Sequence, residues 1–199
     1  MQERLGRRGV LAGVVGVFAL LSACGPTHPP VPYGLEGGTY FLCCTVRFNA
    51  DHEANDASYR YEQGTTLTAG TAVQVTREGD RIVELQPTGG TQRFNLIFRF
   101  GRNVITAGQF FDEMLLREDP RTTLGRLSRE VADAVSRGEL RAGMTKAEAI
   151  AARGYPPRHR TSSTDADDWI YYETREQILR VRFERGVVVA MTLDQAPGS

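Results

Sequence analysis

The C-terminal part of the chain carries its strongest pattern, a capped helix followed by three runs of alternating apolar residues. The sequence TKAE at 145–148 has capping-box spacing, which predicts a short helix that Gly154 can end in the left-handed conformation. Two prolines at 156 and 157 exclude further helix. Strands are predicted at about 168–173, 177–184 and 187–193, and the last two are joined by a tight turn at 184–186.

A longer helix is predicted just before this pattern. Asp119 and Pro120 suit a helix start, as the N-cap and the first helical residue. Its apolar stripe consists of Leu124, Leu127, Val131 and Val135. The order helix, helix, strand, strand, strand predicts two helices packed on one face of an antiparallel sheet, an α+β arrangement.

The C-terminal part resembles the SmpA/OmlA family of small outer-membrane lipoproteins, also called BamE-like. The matching residues are Gly143-Met144-Thr145, Gly154-Tyr155-Pro156, Trp169-Ile170-Tyr171, Phe183 and Gly186-Val187. The resemblance covers roughly residues 120–195 and implies an ααβββ two-layer sandwich that binds partners rather than catalysing a reaction. We therefore assign residues 119–195 to a BamE-like domain. The chain is longer than members of that family. The resemblance does not specify a partner, because proteins that share a fold can differ in function.

Residues 36–118 are predicted to form a β-rich domain that ends in a helix. In TYFLCCTVRF, alternation places Tyr40, Leu42, Cys44, Val46 and Phe48 on one face of a strand. A hairpin is predicted around residues 78–80, and RFNLIFRF at 93–100 alternates again. The polar stretch 49–58 is predicted to be a loop. The sequence TAGQ at 106–109 has capping-box spacing, which predicts the start of the helix. The hairpin weakly resembles the start of an SH3-like barrel.

The N-terminus resembles a bacterial lipoprotein precursor. Three arginines precede a 12-residue apolar run at 10–21, which is too short to remain as a membrane span. Leu21-Ser22-Ala23-Cys24 resembles a lipobox, which implies cleavage after residue 23, a diacylglycerol on Cys24 and an added N-acyl chain. Residues 24–35 are a proline-rich tether. Gly25 after the cysteine favours the outer membrane, and export by the Sec or the twin-arginine route stays open.

No recognisable catalytic motif occurs in the sequence. It lacks HExxH, CxxC, GxSxG, Walker and GxGxxG patterns, so we predict no enzyme activity, no metal and no cofactor other than the covalent lipid. Cys43 and Cys44 are adjacent, and adjacent strand residues point to opposite faces, so we expect Cys44 in the core and Cys43 opposite it. A vicinal disulfide and a redox function are the alternatives.

A partner interface is predicted beside the first C-terminal strand. Aromatic and arginine side chains anchor protein interfaces. The candidate residues are Tyr155, Arg158, Arg160, Trp169 and Tyr171. The alternative is that the aromatic residues are buried and that the arginines belong to a solvated loop.

These observations predict a non-catalytic binding or scaffold lipoprotein of the outer membrane, facing the periplasm. Its expected partners are the membrane, through the lipid, and other envelope proteins. The formal net charge of +0 gives no case for nucleic acid, and nothing indicates a small-molecule substrate. The alternative function is binding of peptidoglycan or another glycan through the SH3-like part.

Overall fold

The computed structural model of the chain describes residues 33–57, 60 and 63–197. The export signal, Cys24 and all of the tether before residue 33 lie outside the described residues. We refer to residues 33–118 as the N-terminal region and to residues 119–197 as the C-terminal region. Both contain helices and strands, so the predicted α+β class is confirmed.

The N-terminal region is built on a six-stranded sheet. Its elements are β1 (Thr39–Leu42), β2 (Val46–Phe48), β3 (Glu53–Asn55), β4 (Thr65–Leu67), β5 (Ala72–Glu78), β6 (Ile82–Pro87), β7 (Phe94–Ile97), α1 (Ala107–Met114) and β8 (Leu115–Leu116). The large sheet has the order β3-β7-β6-β5-β1-β8, and β2 pairs with β4 in a separate ladder. The predicted hairpin is the β5–β6 pair, and the predicted capping box at Thr106 and Gln109 starts α1.

Three details of this region differ from the sequence prediction. The predicted loop at 49–58 contains β3, which pairs in parallel with β7 through contacts that are distant in sequence. Strand β7 ends at Ile97, so Phe100 is exposed rather than aligned with Phe94. The predicted single strand at 39–48 is interrupted at residues 43–45, where the chain bends between β1 and β2.

In the C-terminal region the long helix predicted from Pro120 is two helices. They are α2 (Arg121–Leu124) and α3 (Arg129–Arg137), and the Ser128 hydroxyl caps α3 by accepting from the Val131 N–H. The Asp119 carboxylate accepts from the Arg121 N–H before α2. Serine is a strong helix N-cap, which explains why a new helix starts at this point although the apolar spacing continues through it.

The remaining elements follow the predicted order. Helix α4 (Lys146–Arg153) has both hydrogen bonds of its capping box, and β9 (Asp168–Tyr172), β10 (Gln177–Glu184) and β11 (Val187–Gln195) form a sheet in the order β11-β10-β9. Gly154 ends α4 with a positive φ of 79°, but its ψ of −177° is extended rather than left-handed helical. Arg185 and Gly186 both have positive φ, as a type I′ hairpin turn requires.

Thr45 joins the two regions. Its N–H donates to Ala151 O at 3.0 Å, and its hydroxyl donates to Val135 O at 2.6 Å and accepts from the Ala69 N–H at 3.1 Å. Thr45 is buried, so these hydrogen bonds satisfy its polar groups away from water. The bend at residues 43–45 is therefore fixed by contacts from α3 and α4.

Candidate functional site: an apolar strand edge and a buried sulfur cluster

The C-terminal strand β11 exposes three large apolar side chains, and a β-bulge at Val189 interrupts the alternation of this strand. Val189, Met191 and Leu193 have exposed fractions of 45%, 38% and 54%, and we call these three residues the β11 patch. Met191 pairs with the buried Val181 and Leu193 with Leu179, so both lie on the helix-covered face of the sheet. The helices stop short of this edge, which leaves the end of that face uncovered.

The backbone edge beside the patch is also open. The start of β11 is covered, because Gly143 and Lys146 donate hydrogen bonds to the carbonyls of Val188 and Gly186. Within the described ranges, no strand pairs with the outer edge of residues 189–195. This stretch has one charged residue, Asp194, whose carboxylate accepts from Arg180 at 2.7 Å. Exposed edges are usually protected by charges or prolines, so this edge is suited to pairing with another strand.

A groove of about 610 Å³ runs beside Met191. Leu140, Ala142 and Leu179 form its apolar wall. Charged side chains lie around the groove, where Arg141 is 3.6 Å from both Glu130 and Glu139. The groove thus has a mixed lining, because charged residues, among them the buried Arg153, contribute to it beside the apolar ones.

The sequence prediction of the interface is wrong for Trp169 and Tyr171. Both are fully buried at 0% exposure, in the core cluster of the C-terminal region. The Trp169 indole N–H donates to Ala166 O at 2.9 Å, and the Tyr171 hydroxyl donates to Gly154 O at 3.0 Å. Burial also raises the pKa of the Tyr171 hydroxyl, which keeps it protonated as a donor. Neither side chain can reach a partner, because helices cover this face of β9.

The three other predicted interface residues lie together near the junction of the two regions. Arg158 forms an ion pair with Glu113, and its guanidinium lies 5.4 Å from the centre of the half-buried Tyr155 ring. Arg160 is exposed, and its Nε donates to the Tyr172 hydroxyl at 2.7 Å. Arg158 is thus engaged within the molecule, whereas Arg160 retains an exposed surface.

Asp56 is a structural residue. Its buried carboxylate accepts from the backbone N–H groups of Arg99, Phe100 and Gly101 at 2.6–3.0 Å. The carboxylate thereby fixes the loop after β7. Among the described residues, no group of three or more His, Cys, Asp and Glu side chains is placed to hold a metal ion.

A second candidate site is formed by three sulfur atoms in the core of the N-terminal region. Because the chain bends after β1, Cys43 and Cys44 are both buried as free thiols, and the expectation that they lie on opposite faces is wrong. The Met114 sulfur lies 4.0 Å from Cys43 Sγ and 3.9 Å from Cys44 Sγ. We call these three residues the sulfur triangle. Burial raises the pKa of the Cys43 thiol, and the adjacent Cys44 thiol raises it further.

A cavity of about 50 Å³ adjoins the sulfur triangle. Cys44 and Met114 form part of its wall, together with the apolar side chains of Val46 and Leu96. Four arginines also line it: Arg47, Arg60, Arg137 and Arg153. Arg153 is held by Glu173 at 2.6 Å, and Arg137 by Glu139 at 3.2 Å. The triangle therefore borders a cavity with a cationic lining.

In comparisons with protein-family models, with curated proteins and with solved structures, nothing matches this chain. The resemblance to the SmpA/OmlA family therefore depends on the residues quoted above. No helix within residues 33–57, 60 and 63–197 is long and apolar enough to cross a bilayer.

Proposed function

We propose that the chain is a lipoprotein, attached to the outer membrane through lipid on Cys24, that binds another envelope protein without catalysing a reaction. The finer fold belongs to this proposal: a BamE-like sandwich over 119–195 and an SH3-like barrel within 36–118. The observation that carries the binding function is the β11 patch beside an open backbone edge. Several exposed apolar side chains beside an open strand edge are a feature of interaction surfaces.

The occupant that fits this edge is an extended segment of a partner protein. Such a segment would add a strand to β11 through backbone hydrogen bonds, and its alternate side chains would enter the groove beside Met191. The segment should carry apolar residues at every second position, because Leu140, Leu179 and Met191 form an apolar lining. The mixed charges around the groove favour a partner without a large net charge.

Site-directed photo-crosslinking in intact cells tests this function. A photoreactive residue at Val189 or Leu193 is expected to give one discrete crosslinked protein. The matched control is Val104, an apolar residue in the loop after β7 whose exposed fraction of 43% equals that of Val189 within 2%. Met191→Lys should abolish the crosslink from Leu193, because a charge would be buried in the interface.

Three outcomes would contradict the proposal. Equal crosslinking at Val104 and Val189 would show nonspecific contact. Crosslinking of the chain to itself would show that the edge binds a second copy. Sedimentation of the full chain with purified peptidoglycan, unaffected by Met191→Lys, would favour the glycan-binding alternative.

The membrane attachment is tested separately. The mature protein from native membranes should begin at Cys24 and carry the added mass of its acyl chains in intact-mass spectrometry. Cys24→Ser should release the protein from the membrane fraction, because stable attachment depends on the acyl chains. An unmodified thiol on Cys24 of the native protein would contradict the proposed location.

A further inference from the structure

Two sulfur–sulfur distances of the sulfur triangle match those of a three-coordinate metal site. A metal ion at the centre of three sulfur atoms, with metal–sulfur bonds of about 2.3 Å, requires the sulfurs to lie about 4 Å apart. Two sides of the triangle measure 3.9 Å and 4.0 Å. Both thiols are free, and their sulfurs already face the same thioether. An ion could enter this arrangement with little movement of the chain.

The ligand set selects the metal. Thiolate and thioether ligands are soft and bind monovalent copper well, whereas zinc sites normally need four nitrogen, sulfur or oxygen ligands. Among the described residues, no histidine or carboxylate joins Cys43 and Cys44 in a group placed to hold a metal ion, so a tetrahedral set is not completed. We infer that Cys43, Cys44 and Met114 form a binding site for one Cu(I) ion. This inference goes beyond the proposed binding function and does not depend on it.

The surrounding backbone holds the three ligands in place. The Cys43 N–H donates to Met114 O at 3.0 Å, which joins the bend to the end of α1. Thr45 fixes the other side of the bend through its bonds to Val135 and Ala151. A β-carbon on Gly154 would lie 3.2 Å from Cys44 Sγ, so the backbone of this residue closes the site. Ligands held this way need little ordering when the ion binds.

The adjoining cavity brings positive charge near the site, although burial and the Glu113 carboxylate disfavour a negative charge on Cys43. Binding of Cu(I) by both thiols releases two protons and leaves a complex with one net negative charge, with no change in oxidation state. The cavity next to Cys44 and Met114 is lined by Arg47, Arg60, Arg137 and Arg153. Two carboxylates, Glu139 and Glu173, pair with three of these arginines. The negative charge of the copper complex would interact favourably with these guanidinium groups.

The cavity borders the site on one side. Its 50 Å³ is lined by the arginines as well as by Cys44 and Met114. Water needs about 10–15 Å³ of such volume, so the cavity holds a few water-sized groups. The arginines favour delivery of the copper as an anionic chelate, whose ligands the thiols would replace.

Anaerobic titration of the reduced, full-length protein in detergent with Cu(I) tests the inference. A chromogenic Cu(I) chelator serves as the competitor. We expect one ion bound per chain, and X-ray absorption should show copper surrounded by sulfur at about 2.3 Å. Cys24→Ser should bind the same amount, because Cys24 is not a ligand, and this variant separates the copper site from the lipid anchor.

Three ligand variants and one matched control locate the site. Cys43→Ser and Cys44→Ser should each remove chelator-resistant binding. Met114→Leu, which keeps the core apolar, should weaken binding by at least ~10-fold, the lower end of what even outer-shell changes cost. The control is Met144→Leu, which alters a methionine that is also buried but lies in the C-terminal core. It should leave the Cu(I) affinity unchanged.

Several results would overturn the inference. One is the absence of chelator-resistant Cu(I) in folded, reduced protein, and another is equal affinity in the Met114→Leu and Met144→Leu variants. Tighter binding of Zn(II) than of Cu(I) would also overturn it. So would a Cys43–Cys44 disulfide in protein isolated after thiol trapping in intact cells, because the ligands would then be unavailable. If the serine variants misfold, the two leucine variants still decide the question.

Discussion

The two regions of the molecule differ in where their exposed apolar side chains lie. In the N-terminal region, 20 buried residues form one core, and its exposed large apolar residues, Phe100 and Val104, both lie in the loop after β7. In the C-terminal region three exposed apolar residues lie near one another on β11, the edge strand of a sheet. Scattered apolar residues are ordinary on protein surfaces, whereas several along one open strand are a feature of an interaction site. The comparison places the proposed docking surface in the C-terminal region and the proposed metal site in the N-terminal region.

The largest expected effect is a difference in the free energy of unfolding between two variants of the C-terminal region, one at a buried aromatic residue and one at the exposed edge. Trp169→Ala should lower the free energy of unfolding by about 3–5 kcal/mol, because it empties a fully buried site. Leu193→Ala, at a side chain 54% exposed, should change it by no more than about 0.5 kcal/mol. Urea unfolding should be followed by circular dichroism for both variants. Trp169 is the only tryptophan, so Trp169→Ala removes the tryptophan fluorescence signal. Similar losses would show that β11 is part of the core.

A second prediction compares two ion pairs of similar length but different exposure. Glu173 contacts Arg153 at 2.6 Å, and Asp194 contacts Arg180 at 2.7 Å. The Arg153 side chain is 6% exposed and the Arg180 side chain 55%. Glu173→Ala should therefore cost about 1–3 kcal/mol, since it leaves a buried charge without its carboxylate. Asp194→Ala should cost less than about 1 kcal/mol. Equal losses in the free energy of unfolding, measured with urea, would mean that the Arg153 guanidinium is accessible to water.

The third prediction uses the two capping boxes, one in each region. Thr106→Ala and Thr145→Ala should each lower the free energy of unfolding by about 1 kcal/mol. Because Thr45 ties the regions together, both variants should shift the same single thermal transition. Calorimetry that resolved two transitions, each sensitive to one variant, would show that the regions unfold independently.

The smallest expected effect is a pH dependence at the contact between the regions. His159 stacks on Tyr172 and makes a tilted ring contact with Phe100, and burial lowers its pKa below the ordinary value of 6.5. As pH falls below 6.5, the unfolded chain takes up a proton before the folded protein does, so stability decreases until the pH passes the folded-state pKa. Above pH 6.5 the residue is neutral in both states and contributes no slope.

His159→Gln should therefore flatten the fall in stability on the acidic side of this range. Urea unfolding at about pH 5 and about pH 8 provides the measurement, and His52→Gln in the N-terminal region is the control. A fall in stability that is steeper in His159→Gln than in the unchanged protein would mean that the imidazole gains a proton on folding.

Features set by neighbouring residues could be predicted from the sequence. The capping boxes at Thr106 and Thr145 and the strands β9 to β11 follow from local hydrogen bonding and alternation. The break before α3 was missed because apolar spacing continues across Ser128, although serine as an N-cap was the available signal. Strand β3 was missed because its pairing with β7 depends on residues far along the chain.

The candidate sites depend on tertiary contacts, which local patterns do not contain. Met191 and Leu193 alternate like residues of a buried strand, but the helices do not cover them. Val189 is exposed because it is the extra residue of a β-bulge, which alternation in the sequence does not reveal. Likewise, Trp169 and Tyr171 resemble interface anchors in sequence but are covered by the helices. The thiols of Cys43 and Cys44 converge because Thr45, held by α3 and α4, bends the chain.

Thr45 also has a mechanical role in the proposed arrangement, with the membrane at one end and a partner on β11 at the other. Tension between these ends crosses from the N-terminal to the C-terminal region. Besides the covalent chain, two hydrogen bonds of Thr45 cross this boundary, to Val135 and Ala151, while the bond from Ala69 stays within the N-terminal region. A pull on the partner therefore loads these two bonds as well as the chain itself.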